Sequence, residues 1–246
     1  MTYPNLEHKH SEEALFHPED FLKHAEIRGK FPSNYIITYQ RKTLAYFIRT
    51  YKPRKLKLNS QITLYIHKGI GFIKMTGIGS PHAVTVMEEL IALGGKHFIN
   101  IGTCGGLQTL GTYLCTEAIR DEGTSYHYLP HGQRVYPDPS LTQRLRASLE
   151  KESISFKEGA TWTIDAPYRE TKKEVAHYRS QGVVSVEMEA SALFALAHYR
   201  KVSIAAAFVV SDVLGETWQP HFKAFNIVKA QKQLVDAAVR CLLGKK

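Results

Sequence analysis

From Ile204 to Val210 the chain carries an unbroken apolar run, inside the segment Ser203-Ile-Ala-Ala-Ala-Phe-Val-Val-Ser-Asp212. A strand with one wet face alternates apolar and polar residues; this run does not, so both of its faces must be covered. It is far too short to cross a bilayer as a helix. Helices layered on either side of a sheet satisfy that demand, and the rest of the chain supplies them. The run also delivers Asp212 to the carboxyl end of a strand, where open α/β folds bind ligands.

A second stretch, Val183-Val-Ser-Val-Glu-Met-Glu-Ala-Ser-Ala-Leu-Phe-Ala-Leu-Ala197, passes from a β-branched run into a helix without an intervening loop. Glu187 and Glu189 flank Met188 at the join. Such carboxylates suit a helix N-terminus, which favours acidic residues, and equally a ligand-facing sheet edge. The stretch alone does not choose between the two.

Residues 11–30 read as helical, with Ser11 ahead of Glu12 and Glu13 and a second short helix opening at Pro18-Glu19-Asp20; Gly29 and Pro32 close this preamble. We therefore expect a helical extension over residues 1–34 and a single domain over 35–246. Residues 35–39 suit a buried strand, and residues 40–49 a helix carrying Leu44, Phe47 and Ile48. Arg41 and Lys42 then stand at a helix N-terminus, either as anion ligands or as exposed charge. Residues 61–67 alternate with period two, and residues 70–76 follow a Lys68-Gly69 turn, which makes a hairpin. In Gly77-Ile-Gly-Ser-Pro81, Ser80 reads as the N-cap of a helix bearing Val84, Met87, Leu90 and Ile91. Residues 97–107 form a strand whose exit, Gly102-Thr-Cys-Gly-Gly106, offers backbone amides and a hydroxyl to a polar ligand. Strands follow at residues 112–120 and 156–161, with helices at 139–151, 171–180 and roughly 222–243. Strands alternating with helices give an α/β sandwich.

The 246 residues, 43% of them apolar, suffice for one sizeable core. No apolar run approaches the roughly 20 residues of a membrane span. Met1-Thr-Tyr-Pro-Asn-Leu-Glu-His-Lys-His10 has no apolar h-region, so we expect a cytoplasmic protein with no membrane partner. Cys104, Cys115 and Cys241 are odd in number and widely spaced, which indicates neither a disulfide framework nor a metal site. The net charge of +9 is densest at Lys52-Pro-Arg-Lys-Leu-Lys57 but lacks the interleaved aromatics of an RNA-binding tract. Attraction of phosphate-bearing small molecules, rather than nucleic acid, is the use we expect.

In chain order, Gly77-Ile-Gly-Ser-Pro81, Glu88-Glu-Leu-Ile-Ala-Leu-Gly94, Ile101-Gly-Thr-Cys-Gly-Gly-Leu107, Thr163-Ile-Asp-Ala-Pro-Tyr168, Val186-Glu-Met-Glu-Ala190 and Val210-Ser-Asp212 form a set. The set resembles the nucleoside phosphorylase family of purine and uridine phosphorylases, over about residues 35–243. The resemblance implies a three-layer α/β/α phosphorylase-type fold with a central mixed sheet flanked by helices. It implies phosphate-dependent cleavage of a nucleoside's N-glycosidic bond, giving free base and pentose 1-phosphate. Glu189 would accept from the ribose 2′- and 3′-hydroxyls and Met188 pack on the sugar, with Glu187 and Thr103 beside them. Tyr168, Val186, Cys104 and Gly105 would line the base, and Gly102, Thr103 and Asn100 would face phosphate. Asp212 would protonate the departing purine, a step worth roughly 10²–10⁴-fold because a purine leaves poorly as an anion. A carboxylate at the sugar favours the positive charge that grows there. Phosphate is the co-substrate, no metal or organic cofactor is implied, and a homo-oligomer, dimer or hexamer, completes each site from a neighbour. One of His8, His10, His17 and His24 would correspond to the histidine lent to the 5′-hydroxyl.

The departures from the family pattern matter as much. Uridine enzymes carry a Gln-x-Arg pair where this chain has Tyr168-Arg-Glu-Thr171, which favours a purine. The family's Gly-Asp-Pro-x-Arg phosphate loop is replaced by Thr38-Tyr-Gln-Arg-Lys42, and its phosphate-clamping arginine by Asn100. An amide cannot replace a bidentate guanidinium, so Arg41 and Lys42 are candidates to compensate, with Lys57, which by the resemblance roughly matches the arginine a neighbouring subunit contributes. Two alternatives follow: a phosphate-independent nucleoside hydrolase, and a nucleoside-binding protein without turnover. The hydrolase would lack the glutamate that nucleosidases place near the first strand, since residues 36–43 hold no acidic side chain. Binding alone would not need Asp212.

Overall fold

A computed structural model of the chain describes residue 6, residues 8–222 and residues 225–244. Before the sheet lies one α-helix, α1 (Pro18–His24). The sheet half that follows comprises β1 (Asn34–Thr38), α2 (Arg41–Tyr51), β2 (Arg54–Lys57), β3 (Thr63–His67), β4 (Ile70–Lys74) and α3 (Ser80–Ala92). Next come β5 (His97–Gly106), β6 (Thr112–Asp121), β7 (Arg134–Val135), α4 (Pro139–Lys151), β8 (Phe156–Ile164) and α5 (Lys172–Ser180). The chain ends with β9 (Ser185–Glu187), α6 (Ala190–Arg200), β10 (Ser203–Leu214), β11 (Trp218–Pro220) and α7 (Phe225–Leu243).

These strands make one mixed sheet flanked by helices, as the resemblance implied. β10 behaves as its apolar run demands. Ile204, Ala206, Phe208 and Val210 join a core with α3 and α6, whereas Ala205, Ala207 and Val209 join a core with α2, α4 and α7. The sheet also curls on itself. β10 pairs with β5 and β6, β6 with β8, β8 with β9, and β9 back with β5, which closes a ring of five strands. From β5 an open wing continues through β1, β4 and β3 to β2.

Three local expectations change. Residues 12–17 are not helical; Pro18 opens α1, where the His17 amide donates to the Asp20 carboxylate, and Leu15 beyond that cap is fully exposed. Ser80 is not the cap of α3: Gly79, at φ 97°, takes that position, and the Ser80 hydroxyl donates to the Met188 carbonyl at 2.7 Å. Only glycine occupies that backbone region without strain. The basic tract at residues 54–57 proved to be a strand, β2, paired with β3 at the rim of the wing. The last helix begins at Phe225, and residues 223–224 of the segment expected as helix lie outside the described residues.

Candidate active site

β9 is three residues long and ends on Glu187, so the chain turns into α6 with both glutamates buried at the join. Their jobs differ. Glu187 Oε1 accepts from the Thr163 hydroxyl at 2.6 Å, and Oε2 accepts from the amides of Glu189 at 2.8 Å and Ala190 at 2.7 Å. Those contacts fasten the first turn of α6 to β8; Glu187 is engaged by the fold. Glu189, the N-cap residue, turns the other way: its Oε1 accepts from the Gly79 amide at 2.6 Å, and the Met188 backbone also donates to this carboxyl. A carboxylate with about four acceptor positions keeps capacity for further donors. Burial raises both carboxyls above the ordinary range, and Glu189 next door adds to the rise at Glu187.

Across the ring, Gly105 of β5 pairs with Val186 on one side and with Asp212 on the other. A Cβ at Gly105 would sit 2.4 Å from Leu214 Cδ1, 3.0 Å from Val186 Cγ1 and 3.7 Å from Asp212 Oδ2. The sequence-derived residues Val186, Gly105, Cys104 and Asp212 are thus brought together. β10 bulges relative to β5 between Val210 and Asp212, and the extra residue, Ser211, donates to Asp212 Oδ1 at 2.8 Å. Bulges of this kind re-aim a side chain at the end of a strand. Asp212 Oδ2 accepts from the Trp218 indole at 2.8 Å. The Cys104 thiol is pushed up by burial, with the Glu187 and Asp212 carboxylates adding to it.

At the carboxyl ends of β1 and β5 neutral polar side chains gather, with the half-buried Lys74 opposite Thr38 on β4. Thr38 donates to Gln40 Oε1 at 3.2 Å, and Gln40 Nε2 donates to Thr103 Oγ1 at 3.1 Å. The ring of Tyr39 lies over Gly102, where an added Cβ would approach it to 3.3 Å. The Tyr39 hydroxyl and the fully buried Asn100 amide are each other's neighbours, in a contact that leaves the polar atoms of both poorly satisfied. Burial lifts the Tyr39 phenol well above its usual range, the Glu189 and Glu187 carboxylates lift it further and the Asn100 contact lowers it slightly, so Tyr39 lies within electrostatic reach of both glutamates.

Other expected residues stand elsewhere. Arg41 and Lys42 are exposed on the first turn of α2. Lys57 is exposed on β2, three strands from β1, on the order of 14 Å away at the usual strand spacing. Within one chain it cannot compensate for Asn100. Tyr168 is fully exposed, lifted out on the 3-10 turn Pro167–Arg169, and lines no wall here. The histidines at 8, 10, 17 and 24 lie on the surface ahead of β1. Two residues escaped sequence reasoning. Glu170 sits half-buried near Asp212, with its carboxyl pushed up to about 7 by burial and then by the Asp212 charge. Trp218, six residues beyond Asp212, carries no motif of its own.

A family model described as the phosphorylase superfamily matches residues 47–242. A guanosine phosphorylase of Halorubrum lacusprofundi is 32% identical over 143 residues, covering 56% of this chain and 59% of that protein. A uridine phosphorylase of Treponema pallidum is 32% identical over 153 residues, again covering 56% and 59%. The chain therefore matches about three fifths of the length of these two relatives. Among solved structures, an AMP nucleosidase from Bacteroides thetaiotaomicron superposes with a TM-score of 0.75 at 24% identity, over 93% of this chain and 97% of that one. That likeness is one of fold.

Proposed function

This chain belongs to the phosphorylase superfamily, and on that footing we propose that it cleaves the N-glycosidic bond of a purine nucleoside with inorganic phosphate. The products are the free base and a pentose 1-phosphate. The observation that carries this reading is Gly105, flanked by the base of the Glu189 arm and by Asp212. With strands about 4.8 Å apart, a nucleoside laid over Gly105 meets a carboxylate for its ribose on one side and an acid for its base on the other. Electrons collecting on the base are met by the proton of Asp212, and charge growing on the sugar by Glu189. Phosphate would enter at Gly102, Thr103, Tyr39 and Asn100. Any cation for it comes from Arg41 or Lys42, or from a second copy of the chain that completes the site. No cofactor enters this reaction. The guanosine phosphorylase among the relatives supports a purine; the uridine phosphorylase supports the pyrimidine alternative.

A second reading, hydrolysis by water, draws on the same neutral side chains, because the poorly satisfied polar atoms of Asn100 and Tyr39 suit a neutral oxygen. Incubating a nucleoside panel with and without phosphate, then assaying pentose 1-phosphate, separates the two. Phosphorolysis predicts base release that depends on phosphate. Free pentose at equal rates in both conditions would sink it in favour of hydrolysis.

A further inference from the structure

The acid of the site is held in a way its function must accommodate. Trp218 belongs to the short strand β11 and is 61% exposed, so it adds little to the core. Its partner residue in register is Leu214, and Pro220 stands opposite Asp212. The contact that defines its place is the 2.8 Å bond from its indole nitrogen to Asp212 Oδ2. The other tryptophan, Trp162, also donates to a carboxylate, Asp121 Oδ2 at 2.8 Å, but it is fully buried and packs on Tyr178, so it has a core to hold it in place.

We propose that Trp218 is the positioning residue for proton transfer to the leaving base, an inference that rests on Asp212 being the proton donor. An indole nitrogen only donates, so Oδ2 is kept as an acceptor and the proton must travel on Oδ1. Ser211 makes that possible. Its hydroxyl has one proton and two acceptors within reach, Asp212 Oδ1 at 2.8 Å and the Cys104 carbonyl at 3.3 Å. When Oδ1 bears a proton, the Ser211 hydroxyl turns to Cys104; after transfer it turns back to the carboxylate. In the step itself the bond from C1′ to the base breaks and its electron pair moves to the base. The Oδ1 proton passes to a ring nitrogen of the base, and a phosphate oxygen bonds to C1′. The carboxylate left behind is met by both donors at once.

The test uses the full chain and its Trp218→Phe variant, which keeps the aromatic ring and removes the donor. Turnover with phosphate is measured on guanosine and on 7-methylguanosine, whose base is already cationic and leaves without a proton. The ratio of kcat on guanosine to kcat on 7-methylguanosine is expected to fall about tenfold in the variant, part of the range a general acid supplies. A loss of packing would lower both rates together and leave the ratio in place. An unchanged ratio in an enzyme that is phosphate-dependent overturns the positioning role and leaves the proposed function standing. A wild-type chain that releases base from neither nucleoside overturns the functional reading, and this assignment with it.

Discussion

Asn100 concentrates the chemistry of the site in one side chain. Its amide is fully buried with only the Tyr39 hydroxyl as a neighbouring partner, and a poorly satisfied buried polar group costs a folded protein about 1–3 kcal/mol. Asn100→Leu, similar in volume and apolar, is expected to raise the melting temperature of the ligand-free protein by a few degrees. The same variant should lose at least about tenfold in phosphate-dependent turnover, since a donor and an acceptor to the nucleophile vanish. A melting temperature that falls instead would show that the amide has a structural partner. Asp212→Asn should harm guanosine far more than uridine if the acid serves a purine leaving group, and equal losses on both would remove that role. At this scale the sequence was informative where chemistry is written in local order. Val186, Gly105 and Asp212 meet because β5 lies between β9 and β10, and Glu189 follows Val186 three residues later. It misled where placement depends on distant geometry: Tyr168 points outward. Trp218 and Glu170 were invisible because an indole on a three-residue edge strand and a glutamate before a helix have many bland uses.

The join of β9 and α6 is the element on which the proposed ribose contact depends, and its two glutamates divide the labour. Glu187 secures the helix; Glu189 accepts from Gly79 across the join. Both carboxyls, and Glu170 nearby, hold their protons to higher pH than they would in an unfolded chain. Over the window from the ordinary value of 4.5 up to about 7, taking Glu170 as the case, the native state binds more protons than the unfolded one. Their contribution to stability therefore falls as pH rises through that window and levels above it. Melting curves from pH 5 to 8 should show Glu170→Gln or Glu189→Gln gaining on the wild type as pH increases. A difference that stays constant across the range would refute the burial of those charges. Among elements, β10 and α4 were legible because burial on both faces and a clean 3.6-residue period leave few alternatives. β2 was hidden by its own composition: a strand at a rim carries lysine and arginine as readily as a loop does. The cap of α3 was misplaced by one residue because Gly79 and Ser80 both suit an N-terminus, and only the Met188 carbonyl across the join decides between them.

For the molecule as a whole, an α/β sandwich followed from apolar runs separated by amphipathic helices, but the ring closure did not. Its closing strand, β9, is three residues long, and its pairings to β5 and β8 reach far along the chain. No local periodicity encodes such a contact. The closure has a consequence for how the protein fails. β5 and β10, which carry Thr103 and Asp212, lie at the centre of two buried cores, so their amides should exchange with deuterium only through global opening. β11 is short and exposed, and its amides should exchange much sooner. Native-state exchange followed by mass spectrometry would check that order, and equal protection of residues 204–210 and of Trp218 and Gln219 would contradict it. If the order holds, gentle warming releases the indole from the acid while the catalytic floor stays intact. The enzyme would then decline in two stages, first losing its advantage with bases that must be protonated, and only later its ability to cleave nucleosides at all.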